Sequence, residues 1–284
     1  MAEGAASGAG GGPATLRLEA ALRAPGLSGR PALVAYLTAG FPSLRRFEEL
    51  LPAVSSNADA LEIGVPFSDP VADGVTIQRA SRVALEGGTT LSRILEILGR
   101  AEPQLDRPLI LMSYLNPLLA LGRGGPPDAA VEAAAEAALH AGVSGMVVPD
   151  LSYEESGPLG AALGRRGLAL VQLVTPETPP ARLERICRAS RGFVYAVTMT
   201  GTTGGDAVAQ PELTSYLDRV RAVSSVPVLA GFGIRSREQV ERLAPHADGV
   251  VVGSALVDLV ERGADPVPFL RNLMPKGSPT VDRN

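Results

Sequence analysis

Residues 61–74 read LEIGVPFSDPVADG. An apolar run stops at Gly64, and about a dozen residues rich in proline, aspartate and glycine follow it. A strand-to-helix connection usually takes roughly 2–6 residues, so the longer loop needs a reason. The run itself, ALEI at 60–63, is one of eight. The others are LVAYLT (33–38), LILM (109–112), GMVVP (145–149), LALVQLV (168–174), FVYAVT (193–198), PVLA (227–230) and GVVVG (249–253). Between them lie helical patterns such as FEELLPAVSS, SRILEILGRA, AAVEAAAEAALHAG, ARLERICRAS, LTSYLDRVRAV and REQVERLAPH. This alternation predicts parallel strands joined by crossover helices. Near-continuous apolar strands suit a sheet covered on its outer face. Eight such units in one domain predict an α/β fold, a single (β/α)8 TIM barrel. An open doubly wound sheet is the alternative, but no G-x-G-x-x-G follows the first strand.

TLRLEAALRA, at 15–24, reads as an extra helix before the first strand. The Gly/Ala-rich residues 1–14 read as a disordered tail, 15–274 as the catalytic barrel, and 275–284 as a flexible C-terminal tail. With 45% hydrophobic residues, the 284-residue chain has ample material for a large core. A net charge of −4 leaves no basic footprint for nucleic acid. The most apolar window, 108–122, is too short to span a bilayer and holds two prolines, so no membrane partner is expected. One cysteine, Cys187, allows no intrachain disulfide and fits a cytoplasmic location.

A barrel of this kind carries its chemistry at the C-terminal ends of the strands. Alternation along the second strand turns Leu61 and Ile63 toward the helices and Glu62 into the barrel. A carboxyl there must be paired or protonated, and burial raises its pKa toward neutrality. Position alone leaves Glu62 open between a structural pair and an acid–base residue. Asp73 lies in the long loop, stiffened by Pro66 and Pro70; taken alone it is also an ordinary Asp-Gly turn, and Asp69 an Asx turn. AGFGI (230–234) and VVGSAL (251–256) put glycines after strands seven and eight, where barrels commonly hold a phosphate, with Ser254 opening a short helix. MTGTTGGDAVAQPEL, from Met199, reads either as a lid or as an ordinary connection. No metal cluster is visible; His140 and His246 fall in outer helices.

Several segments, in order, resemble the tryptophan synthase alpha subunit family. Besides LEIGVPFSDPVADG they are AYLTAGFPS (35–43), IQRAS (77–81), LMSYLNP (111–117), VVPDL (147–151), TPETPPARL (175–183), GFVYAVTMTGTTG (192–204), AGFGIRS (230–236) and ADGVVVGSAL (247–256). The resemblance implies retro-aldol cleavage of indole-3-glycerol phosphate to indole and glyceraldehyde 3-phosphate, without a cofactor. It implies Glu62 as the acid–base residue and Asp73 as the second carboxylate, bonded to the indole N–H. By the same resemblance Tyr195, Thr203, Gly204, Phe232, Gly233, Gly253 and Ser254 would meet the substrate and its phosphate. Tyr36, Leu111 and Tyr114 would line the indole pocket. Pro66, Asp69 and Asn116 would face a beta subunit, which carries pyridoxal phosphate and completes an alpha2beta2 complex. The chain departs from the family pattern at Thr202, Gly205 and Asp206 in the lid and at Ser152.

Three other readings remain at this stage. A free-standing lyase of the same fold would release indole. A non-enzymatic activator of a beta subunit would not need Glu62 and Asp73. Another phosphate-binding barrel enzyme is the third, although a Schiff-base aldolase needs a lysine and Lys276, in the tail, is the only one.

Overall fold

The protein is described by a computed structural model covering residues 12–122, 126–198, 210–231 and 233–274. Eight strands close a barrel in chain order: β1 (Ala32–Thr38), β2 (Ala60–Gly64), β3 (Leu109–Met112), β4 (Val143–Val147), β5 (Ala169–Val174), β6 (Val194–Val197), β7 (Val228–Gly231) and β8 (Gly249–Val252). Every pairing is parallel, and β8 returns to β1 with Val34 opposite Val251. The expected (β/α)8 barrel is what the chain forms. The fourth strand lies two residues earlier than expected, at 143–147. Gly142, at φ +72°, releases the chain from the preceding helix directly into Val143, which pairs with Leu109. Pro149, which has no N–H to give a ladder, lies beyond the paired stretch.

The helices are α1 (Pro13–Leu27), α2 (Leu44–Ser55), α3 (Val75–Glu86), α4 (Leu91–Ala101), α5 (Leu115–Ala120), α6 (Pro127–His140), α7 (Gly157–Arg165), α8 (Pro180–Ala189), α9 (Gln210–Val223), α10 (Arg237–Leu243), α11 (Ser254–Glu261) and α12 (Pro266–Leu273). Local chemistry sets several starts. Ser43 and Thr90 accept N–H bonds from Arg46 and Arg93 and so cap α2 and α4. Ser236 and Gln239 form a reciprocal capping box on α10. The extra N-terminal helix, α1, runs longer than the expected 15–24. It buries Leu18 and Leu22, its Thr15 N–H and hydroxyl donate to the Gly167 carbonyl, and its Glu19 carboxylate accepts from Gly192 N–H. It therefore packs against the segments leading into β5 and β6, at the N-terminal end of the barrel.

That end is also held by polar clamps. Asp59 accepts from Leu33 N–H at 2.9 Å and takes a two-point contact from Arg30 at 2.7 and 2.8 Å. Asp248 accepts from Val228 N–H at 2.8 Å in the equivalent place on β7. Each clamp ties the start of one strand to the turn before its neighbour. The strand side chains themselves are buried almost without exception, which is why the runs read as continuously apolar. No helix among the described residues is long and apolar enough to cross a membrane.

Candidate active site

At the C-terminal end of the barrel, β2 delivers Glu62 opposite Tyr36 of β1 and Ile110 of β3. The Glu62 carboxyl is fully buried, and neither of its oxygens has a hydrogen-bond partner among the described residues. Burial first, and the nearby Asp73 carboxyl second, push its pKa up to about 8. It therefore carries a proton at neutral pH, which removes the cost of an unpaired buried charge.

The loop after β2 holds Asp73 at 8% exposure. Asp73 N–H donates to the Pro70 carbonyl at 3.1 Å, and the Gln78 amide donates to the Asp73 carbonyl at 2.8 Å. The Tyr114 hydroxyl accepts from Ala72 N–H at 2.9 Å, and its ring stacks on Phe67 with centroids 5.1 Å apart. The same hydroxyl lies near enough to the Asp73 carboxyl to favour its ionised form. Burial raises that carboxyl to about 6, and the Tyr114 bond offsets part of the rise. These contacts fix the loop so that it turns back and brings the Asp73 carboxyl to the barrel mouth.

Tyr36 and Tyr195 are almost wholly buried in the barrel mouth, and both hydroxyls are held well above their ordinary pKa, chiefly by burial. Two glycines make room for them. A Cβ on Gly64 would lie 1.9 Å from the Tyr36 hydroxyl oxygen, and one on Gly231 would lie 2.3 Å from the Tyr195 ring. Gly64→Ala is expected to destabilise the fold by about 1–3 kcal/mol through overpacking. Urea unfolding would show it as a lowered midpoint, and Tyr36→Leu in the same chain should recover part of the loss. A midpoint equal to wild type would mean that Tyr36 moves aside without strain.

A cavity of about 1020 Å³ opens above these residues, walled by Tyr36, Asp73, Met112, Tyr195, Gly233, Gly253 and Ser254 among others. Its far wall is built by β7 and β8. Gly233 sits at φ +80°, a backbone shape that L side chains rarely adopt. A Cβ on Gly253 would press the Tyr36 ring at 3.3 Å. Gly253 precedes α11, whose first residue is Ser254, so unpaired backbone N–H groups and a hydroxyl face the cavity at a helix start.

The structure sorts the expected residues. Tyr36, Asp73, Tyr195, Gly233, Gly253 and Ser254 share one cavity. Glu62 is not on its wall but buried close enough for its charge to be felt by Tyr36 and Tyr195. Tyr114 meets Asp73 rather than the cavity. Leu111 stands in register with Ile63, on the alternate face, while Met112, in register with Gly64, lines the cavity. A one-residue step along a strand exchanges faces, and only the register shows which residue points in. Asp69 and Asn116 are exposed, whereas Pro66 is buried in this chain. Thr203, Gly204 and Phe232, with the lid departures Thr202, Gly205 and Asp206, lie outside the described residues. Ser152 is on the cavity wall, with its hydroxyl donating to Glu155 at 3.0 Å. Among the described residues no three His, Cys, Asp or Glu side chains gather as a metal site.

Comparison with known proteins gives the same direction throughout. The family profile described as "Tryptophan synthase alpha chain" matches residues 24–270. A tryptophan synthase alpha chain of Bacillus mycoides is 43% identical over 235 residues, covering 82% of this chain and 88% of that one. One from Desulfovibrio desulfuricans is 42% identical over 256 residues, covering 89% and 97%. Among solved structures, a chain of Mycobacterium tuberculosis tryptophan synthase superimposes with a TM-score of 0.81 at 37% identity, covering 90% and 96%. With a family match over most of its length and relatives above 40% identity, this chain belongs to the tryptophan synthase alpha chain family.

Proposed function

We propose that Glu62 and Asp73 divide the work of cleaving indole-3-glycerol phosphate. The reaction is the family's: a carbon–carbon lyase step of tryptophan biosynthesis that gives indole and glyceraldehyde 3-phosphate and needs no cofactor in this chain. The observation that carries the residue assignment is the pair of buried carboxyls, Asp73 on the cavity wall and Glu62 behind it, with a glycine-lined helix start on the same cavity.

The bond to C3 of the indole breaks only after C3 gains a proton and the ring becomes an indoleninium cation. As the bond breaks, the adjacent glycerol hydroxyl gives up its proton and becomes the aldehyde. One proton enters and one leaves. Glu62, protonated at pH 7, is suited to handle both, because a group with pKa near the working pH gives and takes protons readily. Its burial behind the cavity wall means that its side chain must swing toward the substrate to do so. Asp73, largely ionised at pH 7, sits where a carboxylate bonded to the indole N–H stabilises the cation. Two acids in different surroundings thus take different roles. Met112 and Tyr36 supply an apolar wall for the ring. Gly233, Gly253 and Ser254 receive the phosphate at the start of α11.

The chain works with a tryptophan synthase beta subunit, which holds the pyridoxal phosphate and takes over the indole. We place Asp69 and Asn116 at that contact, because both are exposed beside the site. The loop that holds Asp73 inside also presents Val71 outside, 68% exposed, so a partner pressing on it would reach the carboxyl. An alpha2beta2 assembly in the cytoplasm completes the reading. The test is indole release by the purified chain, with and without its beta subunit. Slow release alone and an increase of about tenfold or more with the partner is expected. Fast release by the isolated chain would replace this reading by a free-standing lyase, and no release in either case would end it.

A further inference from the structure

We propose that Arg235 is a charge clamp for the substrate's phosphate, parked on Asp258 until the phosphate arrives. The proposal rests on the phosphate end assigned above. Glycine N–H groups and one hydroxyl offer dipoles there but no full charge, while a phosphate ester carries nearly two negative charges at neutral pH. Among the described residues, two arginines stand on the cavity wall. Arg182 is held by Glu154 through two bonds, at 3.0 and 2.9 Å. Arg235 is not held in that way. It donates through Nη1 alone to Asp258 at 2.8 Å, and its side chain is 54% exposed. An exposed pair of this kind is worth little and is easily exchanged. The guanidinium has further N–H donors to offer a phosphate, in a planar fork that matches phosphate oxygens.

Position and support fit the role. Asp258 follows Ser254 by four residues on α11, about 6 Å of helix rise, so the parked guanidinium lies roughly one turn from the helix start. The backbone beneath it is fixed. Arg235 N–H donates to the Gln239 side chain at 2.6 Å, and the Gln239 amide donates to the Gly233 carbonyl at 3.3 Å. One glutamine therefore sets the base of Arg235 and the phosphate-facing Gly233 together, leaving the side chain as the part that moves. Asp258 would not be stranded by the move. Its other oxygen accepts from the Thr76 hydroxyl at 3.2 Å and has Arg79 at 3.6 Å. Arg79 is committed to Glu261 by two bonds, at 2.6 and 2.5 Å. Of the described cations in this cluster, Arg235 is the one whose departure leaves no buried or unpaired charge behind.

The test uses the full chain and glycerol 3-phosphate as probe, titrated by calorimetry. Arg235→Gln should weaken binding about tenfold or more, the usual worth of a charge-assisted hydrogen bond, and Arg235→Lys should restore part of it. Asp258→Asn should tighten binding in the wild-type background and have a smaller effect in the Arg235→Gln background. In the complex with the beta subunit, Arg235→Gln should raise KM for indole-3-glycerol phosphate more than it lowers kcat. Ser254→Asp, which sets a like charge against the phosphate, is the control for the underlying site. Binding lost in Ser254→Asp but unchanged in Arg235→Gln would overturn the clamp and keep the phosphate end. Binding unchanged in both would overturn both. Asp258→Asn that weakens binding equally in both backgrounds would overturn the parking on Asp258.

Discussion

Glu62→Gln should lower indole formation by about 10²–10⁴-fold, the usual worth of a positioned general acid–base group. Glutamine keeps the shape and neutrality of the protonated acid but cannot pass a proton. Binding of glycerol 3-phosphate should be unchanged, since the proposed phosphate end is built from β7, β8 and α11 and not from β2. Activity within about tenfold of wild type would refute the assignment. The same variant tests the raised pKa by a second route. The folded carboxyl titrates at about 8 against an ordinary value of 4.5. Between those values the folded chain holds more proton at this site than the unfolded chain. The stability of the wild type is therefore eroded as pH rises through that window, by an amount on the order of a few kcal/mol. Glutamine has nothing to ionise. Its Tm relative to wild type should rise steadily from about pH 5 to pH 9, and a flat difference would show that Glu62 ionises normally.

How far the sequence carried this conclusion differs by level. The strands were legible because a parallel barrel buries both faces of each, and β2, β3 and β8 stand within a residue of where the apolar runs lie. Helices α3, α5, α7 and α12 were not read. GPLGAALGR has two internal glycines and forms a helix because Leu159, Ala162 and Leu163 are buried in tertiary contact, not because its propensity demands one. Glu62 was legible by alternation within its strand. Asp73 was not: an Asp-Gly turn looks alike anywhere, and only resemblance singled it out before the Tyr114 and Gln78 bonds showed how it is held. Resemblance named Leu111, and Met112, which lines the cavity, had no signal of its own because an all-apolar strand gives no clue to which parity faces in. The neighbouring strand supplies it, since the register with Gly64 and Ile63 fixes the choice. The parts played by Gly64 and Gly231 depend on tyrosines of strands that are their neighbours only after the barrel closes. Arg235 had no sequence signal except its place two residues after Gly233.

Asp73→Asn should cost about 10²–10³ in kcat/KM, the range expected when one preorganised group facing a developing charge is neutralised. The pH profile says more than the size of the loss. On the proposed assignment, the productive state of the wild type has Asp73 ionised and Glu62 protonated. The acid limb of kcat/KM should therefore lie near about 6 and the alkaline limb near about 8, read as steps of a coupled pair. Asparagine removes the acid limb. It also removes the charge that helps to raise Glu62, so the remaining alkaline limb should move to lower pH. Tyr114→Phe should act in the opposite sense on the first step. It deletes the hydroxyl bond that holds Asp73 down against burial, so the acid limb should move above its wild-type position while the alkaline limb changes less. An acid limb that survives Asp73→Asn, or that stays in place in Tyr114→Phe, would assign that step to another group and leave Asp73 as a structural turn. A profile that loses one limb in the first variant and shifts it upward in the second can come only from a carboxyl balanced between burial and the Tyr114 hydroxyl.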